Sequence, residues 1–115
     1  MRTLNDYFLT TDILDLSAAG TLYIPVPDGG RIIKVITALS KAITTADEDI
    51  TIKTAQGTVA PVLTIATSGS AAGTVDSITP TSNNYVEEGG AIEIENDGAS
   101  AGTLTACKVT LVIRR

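Results

Sequence analysis

RIIKVITALS, residues 31 to 40, places Ile33, Val35 and Thr37 on one face of an extended chain and Ile32, Lys34, Ile36 and Ala38 on the other. Both faces are largely apolar. An antiparallel strand that meets water on one side alternates apolar and polar residues, so this two-faced strand belongs in the middle of a sheet or against a subunit partner. Its neighbours decide what kind of sheet that is. Upstream, TLYIPV at 21 to 26 sets Leu22, Ile24 and Val26 on one face and Thr21, Tyr23 and Pro25 on the other. Pro25 has no N–H to give a ladder, which marks an edge strand, and PDGG at 27 to 30 is the turn into the quoted stretch.

Downstream the period of two continues. TTADED at 44 to 49 reads as a polar loop, ITIKTA then points Ile50 and Ile52 inward and Thr51 and Lys53 outward, and Gln56 and Gly57 turn the chain into TVAPVLTIA. Pro61 marks a second edge or a bulge. After the small-residue loop TSGSAAG come the strand TVDSITP, the strand at 91 to 95, and TLTACKVTLVI, expected to be the longest of all. With TDILDL at 11 to 16 as the strand ahead of TLYIPV, about eight strands follow, with turn signals roughly every ten residues and no long helical period. The expected fold is an all-β, single-domain antiparallel β-sandwich, a jelly roll of about eight strands; the alternative is an immunoglobulin-like sandwich, whose paired Cys and core Trp are absent.

Composition agrees with a sheet protein. Of 115 residues, 13 are Ile, 8 Val and 18 Thr, and such β-branched side chains suit a pleated surface. The length fits one core. TLNDYFL at 3 to 9 spaces Leu4, Tyr7 and Phe8 by three and four, which allows one helical turn, and residues 1–10 are expected to form an N-terminal arm ahead of a sandwich at 11–115. Leu4, Tyr7, Phe8 and Leu9 on that arm, with Tyr23 on the polar face of its strand, are the candidate partner contacts.

The chain has no histidine, so the usual neutral-pH base and the commonest imidazole metal ligand are both missing. No cofactor and no metal are expected. Net charge is −5, and the basic residues are scattered apart from Arg114 and Arg115, which argues against nucleic acid. The N-terminal apolar residues are interrupted by Asn5, Asp6 and Asp12, leaving no membrane span there. A lone Cys107 reads as a small buried hydrophobe.

What remains of chemistry is GGAIEIENDG at 89 to 98, where Glu93, Glu95 and Asp97 alternate with Ile92 and Ile94. Carboxyls on alternate strand residues lie about 7 Å apart, near the separation that glycoside hydrolysis uses. A glycosidase also needs a facing carboxyl across a cleft, commonly lined with aromatic rings, and this chain is 3% aromatic without Trp. The solvent-facing side of a strand is the preferred reading, and the acidic loops TADEDI and ENDG do not match a calcium loop's spacing.

YVEEGGAIEIENDGASAGTLTACKVTLVIRR, together with RIIKVITALSKAI, resembles the small jelly-roll decoration, or cement, proteins of tailed-bacteriophage capsids. The likeness is an acidic-glycine turn into a strand, a Gly/Ser loop, and a long Thr/Val/Ile strand ending in Arg. It implies a non-enzymatic virion protein, made in the host cytoplasm, that sits on the capsid surface as a homotrimer. Its partner would be the major capsid protein. A sugar-binding or adhesin-like β-module of a phage fibre, using Tyr23 or Tyr85, is the alternative.

Overall fold

The computed structural model describes residues 5–100 and 105–115, so Leu4 lies outside the described residues. Ten strands run in chain order: β1 (Asp6–Ile13), β2 (Gly20–Pro25), β3 (Gly30–Leu39), β4 (Glu48–Thr54), β5 (Gly57–Thr58), β6 (Leu63–Ile65), β7 (Val75–Ile78), β8 (Tyr85–Val86), β9 (Ala91–Asn96) and β10 (Cys107–Arg114). They form two five-stranded antiparallel sheets. Sheet A has the order β1-β10-β3, with β7 and β8 both on the far side of β3; sheet B has the order β2-β9-β4, with β5 and β6 both on the far side of β4.

β5 with β6, and β7 with β8, are halves of two interrupted strands. Counted so, eight strands remain, and the chain passes A, B, A, B, B, A, B, A through the sheets. This is the connectivity of a double-sheet jelly roll, as expected from the strand spacing. Pro61 sits in the break between β5 and β6, and Pro25 ends the edge strand β2. Both prolines stand where a missing N–H leaves no ladder bond unmade.

The two inner faces supply the core. Ile13, Ile24, Ile32, Val35, Ile50, Ile52, Leu63, Ile65, Ile92, Ile94, Val109, Leu111 and Ile113 are all buried between the sheets. Burial at this density removes on the order of 2 kcal/mol worth of apolar surface from water per large side chain.

The residues expected as an arm and a helical turn are strand from Asp6 onward. β1 pairs with β10 along its whole length, from Asp6 opposite Arg114 to Ile13 opposite Cys107. A single helical turn is marginal alone, whereas the ladder satisfies the backbone and lets Tyr7, Leu9 and Ile13 pack against the core. β3, with ten residues, exceeds the eight of β10, the strand expected to be longest.

The phase of β3 also differs from the simple alternation. Opposite β10, Val112 faces Lys34 and Ile113 faces Ile32, so Ile33 is an extra residue, a β-bulge. Ile32 and Val35 therefore both point inward although three apart. Gly30 stands just before the bulge, where a Cβ would lie 2.5 Å from the Arg114 carbonyl oxygen. Only glycine lets the strands approach that closely.

One flank of the sandwich is sewn shut. Ala60, in the break between β5 and β6, bridges to Ser82, in the break between β7 and β8, and the Thr81 N–H donates to the Ala60 carbonyl at 2.7 Å. The opposite flank is made by the edge strands β1 and β2, which pair only inward.

Candidate functional site

The two outer faces are built differently. On sheet B, register sets Tyr23 (β2), Glu93 (β9) and Lys53 (β4) in one row and Thr21, Glu95 and Thr51 in the next. Lys53 Nζ lies 3.1 Å from Glu95 Oε1 and 3.5 Å from Glu93 Oε2. Hydrogen bonds with Glu95 and then with the Tyr23 hydroxyl hold the Glu93 carboxyl below the usual carboxylate range, with the Lys53 charge adding to them. Tyr23 is raised in turn, because its hydroxyl donates to Glu93 and faces that charge. Lys53 is raised by Glu95 first, then Glu93.

Glu93 and Glu95 thus share a lysine on an open sheet face rather than facing each other across a cleft. Asp97 lies beyond the end of β9, where its Oδ1 accepts the Asp49 and Ala99 N–H groups. It does not join the other two carboxylates.

On sheet A, register sets Phe8, Val112 and Lys34 in one row, Thr10, Thr110, Ile36 and Ser77 in the next, and Asp12, Lys108, Ala38 and Val75 in a third. This face is mixed, with Phe8, Val112, Ile36, Ala38 and Val75 standing among Lys34, Thr10, Thr110, Ser77, Asp12 and Lys108. Val112 is on the outward phase of β10 and outside the core cluster, yet only 1% exposed, while Phe8 beside it is 56% exposed and Val75 62%. Lys108 pairs with Asp12 and Arg114 with Asp6. At the end of the sheet, the Arg31 guanidinium lies 5.1 Å from the centroid of the Tyr85 ring.

Among the expected contact residues, Phe8 and Tyr23 are exposed, on opposite faces. Tyr7 and Leu9 turn inward as partly buried neighbours of the core, and the Tyr7 hydroxyl donates to the Asp28 carbonyl. Burial first and the Asp28 charge second raise the Tyr7 pKa. Tyr23 and Tyr85 stand on different sheets, so they line no common groove for a sugar.

Glu48 is the functional-looking residue that the acidic run around it concealed. Expected in a loop, it opens β4 and is 0% exposed. Its Oε1 accepts the Ser100 N–H at 2.9 Å and the Ser100 hydroxyl at 2.8 Å; its Oε2 accepts the Gly98 N–H at 2.9 Å and the Asn96 amide at 3.1 Å. The same Asn96 amide donates to the Ala18 carbonyl at 2.7 Å, and the Ser100 hydroxyl lies 3.1 Å from the Leu16 carbonyl oxygen. The carboxylate thus holds the loop after β9 to the start of β4, and Asn96 and Ser100 link that loop on to the one after β1. Gly98 makes this possible, with φ of 71° and no room for a side chain, since a Cβ would lie 2.3 Å from the Ala19 nitrogen.

The neighbouring carboxylates are used in the same way. Asp47 accepts the Thr67 N–H at 2.8 Å and Asp49 the Thr64 hydroxyl at 2.7 Å. Cys107 points into the core, and burial pushes its thiol up to about 11, so it is protonated at neutral pH.

No family model matches the chain, and no curated protein sequence matches it. Several solved structures are distantly similar to the chain. The chain is similar to part of an Aeromonas sobria serine protease and chaperone complex, with TM-score 0.51 and 9% identity over 96% of this chain and 27% of that one. It is similar to part of a ruminal GH26 endo-beta-1,4-mannanase, with TM-score 0.47 and 10% identity over 86% of this chain and 18% of that one. A protein of the Macrobrachium rosenbergii extra small virus particle is similar at TM-score 0.37 and 14% identity, over 97% of this chain and 81% of that one. This chain spans about a quarter or less of the protease-complex and mannanase chains. The β-sandwich itself is defined by the strand pairings, and its role is argued from its surfaces.

Proposed function

We propose that this chain is a non-enzymatic virion structural protein that binds the outside of a phage capsid as a trimer and stabilises the shell. The observation that carries the reading is the outer face of sheet A. Phe8, Val75 and Tyr85 are each more than half exposed there, around a centre of Val112, Ile33 and Ile36, on a sheet whose other side already packs the core. Large apolar side chains left exposed among polar ones on such a face are suited to covering by a partner. The eight-strand connectivity and the resemblance of 85–115 to decoration proteins support the same reading.

Sedimentation velocity tests the trimer. A species near three times the 11.8 kDa chain mass is expected, and a strict monomer at high micromolar concentration overturns it. The shell contact is tested by co-sedimentation with expanded heads assembled from the capsid protein encoded beside this chain. Saturable binding at a fixed ratio is expected, and Phe8→Asp should reduce it about tenfold or more. Heads that bind no chain overturn the capsid role.

A further inference from the structure

Four basic side chains on the described surface are already paired with carboxylates. Arg114 holds Asp6 with two bonds, Arg115 reaches Asp28, Lys108 reaches Asp12 and Lys53 holds Glu93 and Glu95. Arg31 is different. Its guanidinium rests on the Tyr85 ring and has no carboxylate partner among the described residues. It lines, with Gly30, Ile33, Tyr85, Arg114 and Arg115, a hollow of about 380 Å³ that carries three guanidinium groups.

On the other side of Tyr85 the charge reverses. A second hollow, of about 390 Å³, is bordered by Tyr85, Gln56 and the turn at 87–90, where Glu87 and Glu88 are exposed and also have no basic partner among the described residues. Tyr85 lines both hollows, so a basic and an acidic patch lie on two sides of one corner of the molecule.

We infer that this corner is the self-association surface: the Arg31 hollow of one copy receives the Glu87–Glu88 turn of the next. The inference rests on the trimer reading and supplies its contact. Two different patches that complement each other make a head-to-tail interface, which closes into a ring when the copies are related by rotation about an axis near the shared corner. Adjacent patches place that axis beside Tyr85. The second copy is the favoured occupant because the chain presents both halves of the charge pair, and an arginine already stacked on an aromatic ring keeps its donors aimed outward for a carboxylate. Tyr85, 52% exposed, supplies the apolar anchor at the centre.

Charge reversal tests this. Arg31→Glu, and separately Glu87→Lys with Glu88→Lys, should each weaken self-association about tenfold or more, because like charges would then meet across the contact. All three changes in one chain restore opposite charges and should recover association to near the unaltered level. Thermal melting confirms that each variant is folded, as these side chains are all on the surface. An unaltered chain that oligomerises but is indifferent to both reversals overturns the inference and leaves the trimer standing. So does a failure of the triple variant to recover, which would assign the charges to another partner. An unaltered chain that stays monomeric overturns both.

Discussion

Glu48 and Glu93 belong to neighbouring strands of sheet B, one carboxylate behind the sheet and one in front of it. Behind, Glu48 is 0% exposed and meets four donors, all within 3.1 Å. In front, the Glu93 side chain is 23% exposed and shares one lysine with Glu95. Water competes for every bond on the outer face, so that cluster is easily exchanged for hydration. Behind the sheet there is no such substitute: an unmade bond leaves a buried donor unsatisfied. The difference shows that acidic residues in this chain divide into those that hold loops together and those that shape a surface.

The first way to break the comparison is Glu48→Ala. Removing the carboxylate strands the Gly98 and Ser100 N–H groups and frees the loop after β9 from β4, so stability should fall by about 3–5 kcal/mol. Urea unfolding measures it. A loss below about 1 kcal/mol would mean that water or neighbouring groups replace the carboxylate, and the buried cluster would then be no different in kind from the exposed one. Ser100→Ala is the milder version. It takes away one hydroxyl donor and leaves the Ser100 N–H in place, for an expected cost of about 2 kcal/mol by the same measurement.

The placement of Glu48 was partly written in the chain. Glu48, Ile50 and Ile52 share one phase of a strand, and so do Ile92, Ile94 and Asn96; the carboxylate and its amide partner are in step with the core on both strands. Polarity hides this, because a Glu in an acidic run reads as loop, and only tertiary pairing shows that Asn96 and the loop at 98–100 arrive to meet it. The strand set apart from the start of β1 and of β4, its edges at Pro25 and Pro61, and the outward aim of Glu93, Glu95 and Tyr23 follow from period-two patterning alone. The bulge at Ile33 does not. With Ile at 32 and 33, either phase buries an apolar side chain, and the choice is made by the register against Val112 and Ile113. The same limit applied to the first strand. Leu9 and Ile13 join a face with Tyr7 only once β10 lies beside them.

The contact corner was less legible than either. Arg31, Tyr85 and Glu87 are separated by more than fifty residues of chain at one step and by two at the other, and β8 brings them together by pairing Tyr85 with Arg31. No local pattern marks that pairing, because β8 has only two residues. Surface function in this fold therefore depends on which half-strands share a neighbour, whereas the core depends mainly on alternation.

The smallest expected effect tests the exposed side of the comparison. Glu93 titrates below its ordinary value near 4.5, chiefly through hydrogen bonds with Glu95 and Tyr23 and only then through Lys53. A carboxyl lowered by folding adds stability above the unfolded pKa and loses it as pH falls through the lower folded value, so any contribution here disappears in acid, below about pH 4.5. Carboxyl-carbon NMR titration should place the Glu93 midpoint below 4.5 in the unaltered chain. Tyr23→Phe and Lys53→Met should each raise that midpoint, since each removes a group that favours the ionised carboxyl. Both variants should leave the melting temperature within about 2 °C of the unaltered chain. If Lys53→Met instead melted the protein as Glu48→Ala is expected to, the outer face would be acting as a buried network. A surface that can exchange its bonds for water without loss is one that a partner can also compete for, which the cluster behind the sheet is not.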